Sequence, residues 1–135
     1  VEKVLGFSIY GDRWPDLAYR PFWACARYPA CDAYVGCHPG TENPLGRLAD
    51  KELRRWKRRA HAAFDPLWQR KLEERRAERG PEYRKHYARG SGYRWLAEQL
   101  GIPFEDCHIG MFDVETCRRV VDLCEPYRKR LRSVA

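Results

Sequence analysis

Long apolar runs are missing from this chain. None of its 135 residues falls in a stretch approaching the roughly 18 apolar positions of a membrane-spanning helix. No charged-then-apolar signal segment opens it. It has one Met and four His. There is no phosphate-binding glycine loop with its Lys, no His-Glu-x-x-His and no nucleophile elbow, so no motif points to a nucleotide hydrolase, a zincin or an α/β-hydrolase. Internal repeats are absent as well, which excludes a solenoid or propeller. The six cysteines come without a secretory signal. They therefore favour metal ligation or buried thiols over disulfides, and a cytoplasmic location. The chain opens on Val1 rather than Met, and we expect a segment upstream of it.

What the chain has is aromatic bulk and positive charge. Five Trp, eight Tyr and five Phe can anchor a modest core. The formal net charge is +7, and Arg outnumbers Lys by 20 to 6. Arg is the better side chain for bidentate phosphate contacts. The excess is concentrated: Arg54 to Arg89 hold 13 Lys/Arg against 5 Asp/Glu, while the remainder is near balance. A run of this sign suits a polyanionic partner.

The pattern divides the chain at about residue 46. In residues 1–46, "VEKVLGFSIYG", "AYRPFWAC" and "DAYVGC" read as short strands, "DRWPD" as a turn and "PGTENPLG" as a loop. Residues 47–135 read as helical. Asp50 is placed to cap a helix whose apolar face is Leu53, Trp56, Ala60, Phe64 and Leu67. "FDPLW" should break or kink it, with Asp65 as a new cap and Pro66 as the first residue of a second helix ending at Gly80-Pro81. A further helix should start at Ser91 and stop at Gly101, and a last one should be capped by Asp113. The fold class expected is α+β, a small β part followed by a mostly helical part with a long basic helix, in one compact unit.

Cys25 and Cys31 flank a Tyr-Pro turn in "FWACARYPAC". Two thiolates so spaced can share one tetrahedral Zn2+, given two more ligands. Cys37 or His38, with His61, could complete the set locally; otherwise the thiols are simply buried. Cys37 and His38 are consecutive, and after a strand their side chains point to opposite faces. Cys117 and Cys124 lie seven apart on the apolar side of the last helix, where buried free thiols are expected. Cys107 and His108 have no clean ligand spacing.

The Cys25–Cys31 segment resembles the second knuckle of the zinc ribbons at the C-terminus of bacterial type IA topoisomerases, which bind single-stranded DNA. A longer resemblance follows. "DAYVGCHPGT", "PLGRLADKELRRW", "RAHAAFDPLW", "YRWLAEQLGI" and "CHIGMFD" occur in this order. Together they resemble the "zinc-finger-containing domain" family of phages and bacteria. That resemblance implies a four-cysteine ribbon with Cys25 and Cys31 as its second half. The first half, a Cys-x-x-Cys knuckle, would precede the strand in "EKVLGFSIYG", upstream of Val1.

Two constellations remain. His61 and Asp65 lie four apart, and would share a face if the helix ran through them. His108 and Asp113 bracket a Gly-containing turn. With His38 they are candidates for general base chemistry or for a divalent metal in a nuclease. As structural residues, Asp65 and Asp113 would be helix caps. The second constellation is the basic helix. Arg54, Arg55, Arg58 and Arg59 have almost no acidic neighbours, and are the candidates for phosphate contact. Tyr28, in the knuckle turn, is the candidate for stacking on an unpaired base. The function expected is that of a zinc-binding, nucleic-acid-binding protein of a phage or bacterium, in DNA metabolism or regulation. DNA is favoured over RNA, single strands are included, and no membrane is involved. The alternatives are a metal-assisted nuclease or hydrolase using His38, His61, Asp65, His108 and Asp113, and a phage adaptor that binds a host protein.

Overall fold

The computed structural model describes residues 1–133, with side chains as far as Leu131. A three-stranded antiparallel sheet precedes a mostly helical part, as the α+β reading requires. The chain divides into two compact units, Val1–Arg55 and Trp56–Ala135. Among the described residues no helix is long and apolar enough to cross a membrane.

In the first unit the strands β1 (Glu2–Leu5), β2 (Pro21–Ala24) and β3 (Tyr34–Gly36) lie in sequence order. Lys3 faces Trp23, and Trp23 faces Val35. Phe22 and Ala24 are buried while Pro21 and Trp23 are half-buried, the alternation of a strand with one covered face. Phe22 packs edge-on to Tyr10 and Tyr34, at 5.7 and 6.1 Å between ring centroids, and the Tyr10 and Tyr34 hydroxyls are 3.2 Å apart. Edge-to-face pairs of this kind add to the area buried.

"GFSIY", expected to be extended, is instead a short helix, α1 (Gly6–Tyr10). The cause is local. The Gly6 amide donates to the Arg20 carbonyl and the Phe7 amide to the Ala18 carbonyl, each at 2.8 Å. A Cβ at Gly6 would run into the Leu17 carbonyl oxygen, so the chain can turn there only without a side chain.

The helix α2 (Lys51–Arg79) runs through Pro66 without a break. At 29 residues it is about 44 Å long. Asp50 caps it as expected, its Oδ1 accepting the Leu53 amide at 2.8 Å. Asp65 caps nothing; its carboxylate is used by His61 and Trp68. The helix α3 (Lys85–Leu100) starts six residues before Ser91 and ends at Gly101, whose φ of 71° is the left-handed stop expected. The helix α4 (Val114–Ser133) begins behind Asp113, which accepts the Thr116 amide at 2.8 Å.

The second unit is built on Phe64, Leu96, Ile109 and Val120, all fully buried. Phe64 and Tyr93 have ring centroids 4.7 Å apart. Gly92 lets α3 approach α2: a Cβ there would lie 2.9 Å from the Trp68 Cβ and 3.3 Å from Phe64. Cys107, Cys117 and Cys124 are fully buried. Burial pushes the Cys107 thiol up to about 11, and burial with the Glu125 charge pushes Cys124 up to about 12.

Candidate functional site

Cys25 and Cys31 stand at the two sides of the β2–β3 turn. The Cys25 amide extends the ladder to the Ala33 carbonyl at 2.9 Å; the Tyr28 amide returns to the Cys25 carbonyl at 2.8 Å, and the Cys31 amide to Arg27 at 3.2 Å. This tight turn puts the two thiols close enough to influence one another. The Cys31 contact lowers the Cys25 thiol below its ordinary value, helped by the Arg27 amide and guanidinium and opposed by slight burial. A thiol stabilised as thiolate is a competent zinc ligand. Cys37 differs: burial and the Glu42 charge raise its thiol, and its backbone bridges to Pro44.

Zinc needs four such donors in a structural site. Among the described residues no three His, Cys, Asp or Glu side chains gather to hold a metal. His38 is exposed, and its carbonyl is taken by the Thr41 amide and hydroxyl. The Cys pair fits half of a tetrahedral site. Glu2 pairs with Ala24, which sets Val1 level with Cys25 on the neighbouring strand.

The four arginines of the basic helix separate into two kinds. The Arg54 guanidinium is held by the carbonyls of Asp32 and Ala49 at 2.8 and 2.6 Å, by the Asp32 carboxylate at 3.6 Å and by the Tyr34 ring at 4.0 Å. Arg55, Arg58 and Arg59 are exposed. At spacings of three and four they share the outward face of α2. Among the described residues none of the three has a carboxylate within ion-pair distance; the pairs of α2 beyond Arg59 are His61–Asp65, Arg70–Glu74, Lys71–Glu74 and Arg75–Glu78. The guanidinium of Arg59 lies 4.2 Å from the Trp56 ring centroid, and that of Arg118, from α4, lies 4.9 Å from it. Tyr28 is half-buried, edge-on to Tyr34 at 6.4 Å. Three exposed aromatics of the first unit went unrecognised in the sequence: Phe7, Trp14 and Tyr19, the last 85% exposed. The Arg beside Trp14 and Tyr19 in "DRWPDLAYR" was the signal for two of them.

Among the described residues no three of the histidines and aspartates gather as metal ligands. His61 Nδ1 is 3.2 Å from Asp65 Oδ2, and the Trp68 indole donates to Asp65 Oδ1 at 2.9 Å. Burial works to raise the Asp65 carboxyl, but the His61 and Trp68 hydrogen bonds and the His61 and Arg89 charges outweigh it and lower the value. His108 is exposed, with its ring 6.3 Å from that of Tyr93. Asp113 is the α4 cap. Arg89 and Tyr93, absent from the sequence reading, complete this neighbourhood: the Arg89 guanidinium lies 5.5 Å from the Tyr93 ring centroid.

A groove of about 550 Å³ in the second unit is walled by Trp68, Trp95 and Tyr127, with Arg70 and Lys71 on its rim. No curated protein and no solved structure matches the chain. A family profile does match, over residues 7–127. That span takes in the Cys25–Cys31 knuckle, the basic helix and the His61–His108 neighbourhood, and this chain belongs to the zinc-finger-containing domain family.

Proposed function

We propose that the protein binds nucleic acid, DNA in preference to RNA, in the DNA metabolism or regulation of a phage or bacterium. The observation that carries this reading is the guanidinium face of α2. Arg55, Arg58 and Arg59 point outward without carboxylate partners, and Trp56 beside them is faced by Arg59 and Arg118. Unpartnered guanidinium groups release counterions from a phosphate backbone. The guanidinium groups over the Trp56 ring add positive charge held by cation–π contact to the same face. The aromatic walls of the Trp68–Trp95–Tyr127 groove favour unpaired bases over a closed duplex. The resemblance of the knuckle to topoisomerase-type ribbons supports DNA. Zinc has a structural part: Cys25 and Cys31 hold it on one side, and two donors from outside the described residues close the tetrahedron.

The test is direct binding by the zinc-loaded full-length protein in low salt. A labelled single-stranded DNA should shift, and single-stranded DNA should compete better than duplex or RNA of equal length. Absence of binding to all three would overturn the proposal and leave the charge for an acidic protein partner.

A further inference from the structure

The neighbourhood around Tyr93 has a use of its own. Three elements meet there: α2 with His61 and Asp65, α3 with Arg89 and Tyr93, and the segment before α4 with His108. Tyr93 is 8% exposed and packs against Phe64, with the two rings tilted at 59°. The Arg89 guanidinium lies 5.5 Å from the Tyr93 ring centroid, and the His108 ring lies 6.3 Å from the same ring. A guanidinium has five donors in a planar fork, so the Tyr93 contact leaves most of them for an outside acceptor. Asp65 has both oxygens engaged, by Trp68 and by His61. Its hydrogen bond fixes the His61 ring and leaves Nε2 as the free ring nitrogen. Arg58 stands three residues before His61, on the same helix face. The inventory is one permanent cation and two imidazoles at the surface, against one carboxylate already occupied.

We propose that His61, Arg89 and His108 form a seat for a phosphate group, with Asp65 as the positioning residue for His61 and Tyr93 for Arg89. A phosphate oxygen accepts from the Arg89 fork and from the His108 N–H; His61, whose Nδ1–H is donated to Asp65, offers Nε2–H as the imidazolium or accepts through Nε2 from a protonated phosphate oxygen. The phosphate is a terminal monoester or a backbone diester of a bound strand. The choice between them rests on the nucleic-acid reading; the seat does not.

Inorganic phosphate is the probe, read by imidazole resonances of the zinc-loaded full-length protein at fixed pH and ionic strength. His61 and His108 should move together with one dissociation constant, while His38 and His86 stay still. Arg89→Met should abolish both movements. Asp65→Asn should change the nitrogen signature of the His61 ring, from a single tautomer to a mixture, and leave that of His108 unchanged. The proposal is overturned if neither ring responds by about 10 mM phosphate, ten times a millimolar dissociation constant, or if all four histidines move alike. It is also overturned if Arg89→Met leaves the response intact. Should that variant unfold the second unit, His108→Gln, a change at an exposed ring, makes the same test. Oligonucleotides with and without a 5′-phosphate then give the source. About tenfold tighter binding of the phosphorylated strand, worth about 1.4 kcal/mol and lost in Arg89→Met, identifies a terminal phosphate. Equal binding of both strands, weakened alike by Arg89→Met, identifies a backbone diester. Oligonucleotides that bind equally to parent and Arg89→Met would overturn the seat. If no oligonucleotide binds but phosphate still saturates His61 and His108, the seat stands and the nucleic-acid reading falls.

Discussion

Replacing Arg55, Arg58 and Arg59 together with Ala separates ionic grip from fold. All three are exposed on one face of α2, and none holds a carboxylate among the described residues. If each neutralises one phosphate, the log–log salt slope of binding should flatten by about 2.7 on duplex and about 2.1 on a single strand. Between 50 and 200 mM salt, the parent should then lose about 40-fold more affinity than the variant on duplex, and about 18-fold more on a single strand. Fluorescence anisotropy across that salt range measures both slopes. Arg54→Ala is the internal contrast. Its guanidinium is spent on Asp32, Ala49 and Tyr34, so its loss should loosen the first unit and leave the slope unchanged. An unchanged slope in the triple variant, or a flattened slope in Arg54→Ala, would refute the division of roles.

Cys25→Ser should lose zinc and loosen the first unit while the helical unit stays folded, and Cys37→Ser should keep its zinc; metal content after dialysis of the full-length protein decides. Gly90 and Gly92 make a matched pair in α3. Nothing lies within 4 Å of a Cβ at Gly90, so Gly90→Ala should gain about 0.5–1 kcal/mol from helix propensity. Gly92→Ala would press on Trp68 and Phe64 and should instead lose about 1–3 kcal/mol; urea midpoints of the two should move in opposite directions. The lowered Asp65 carboxyl contributes stability that is full above the ordinary carboxylate value of about 3.9 and is lost as pH falls through its folded value. Asp65→Asn should therefore be less stable than the parent at neutral pH and lose less on acidification, followed by denaturant unfolding from pH 7 to pH 2.

The parts legible from sequence were those set by neighbours along the chain. Asp50 and Asp113 cap helices because each has an amide three residues on to bond. Cys25 and Cys31 stand at the two sides of one turn because a short connection closes between two strands that pair. What escaped was decided by distant partners. "FDPLW" looks like a break, since Pro66 removes a helical donor. The chain runs on as helix because Phe64 and Trp68, on either side of the proline, are buried together with Leu72. Asp65 is drawn from capping by the Trp68 indole and the His61 ring. The early start of α3, through two glycines with poor propensity, rests on the close approach at Gly92. Arg89 and Tyr93 drew no notice because their partners lie on α2 and ahead of α4, with no local pattern to announce them.

Five of the six thiols amount to a built-in pair of clocks. Cys107, Cys117 and Cys124 have no solvent access, so an alkylating reagent can reach them only when the helical unit opens. Cys25 and Cys31 are half-exposed, and Cys25 is the one whose thiol is shifted toward thiolate; only a bound metal would protect that pair. Labelling rates resolved residue by residue would thus time two separate events in one sample, the release of metal from the knuckle and the opening of the helical core, with no introduced probe.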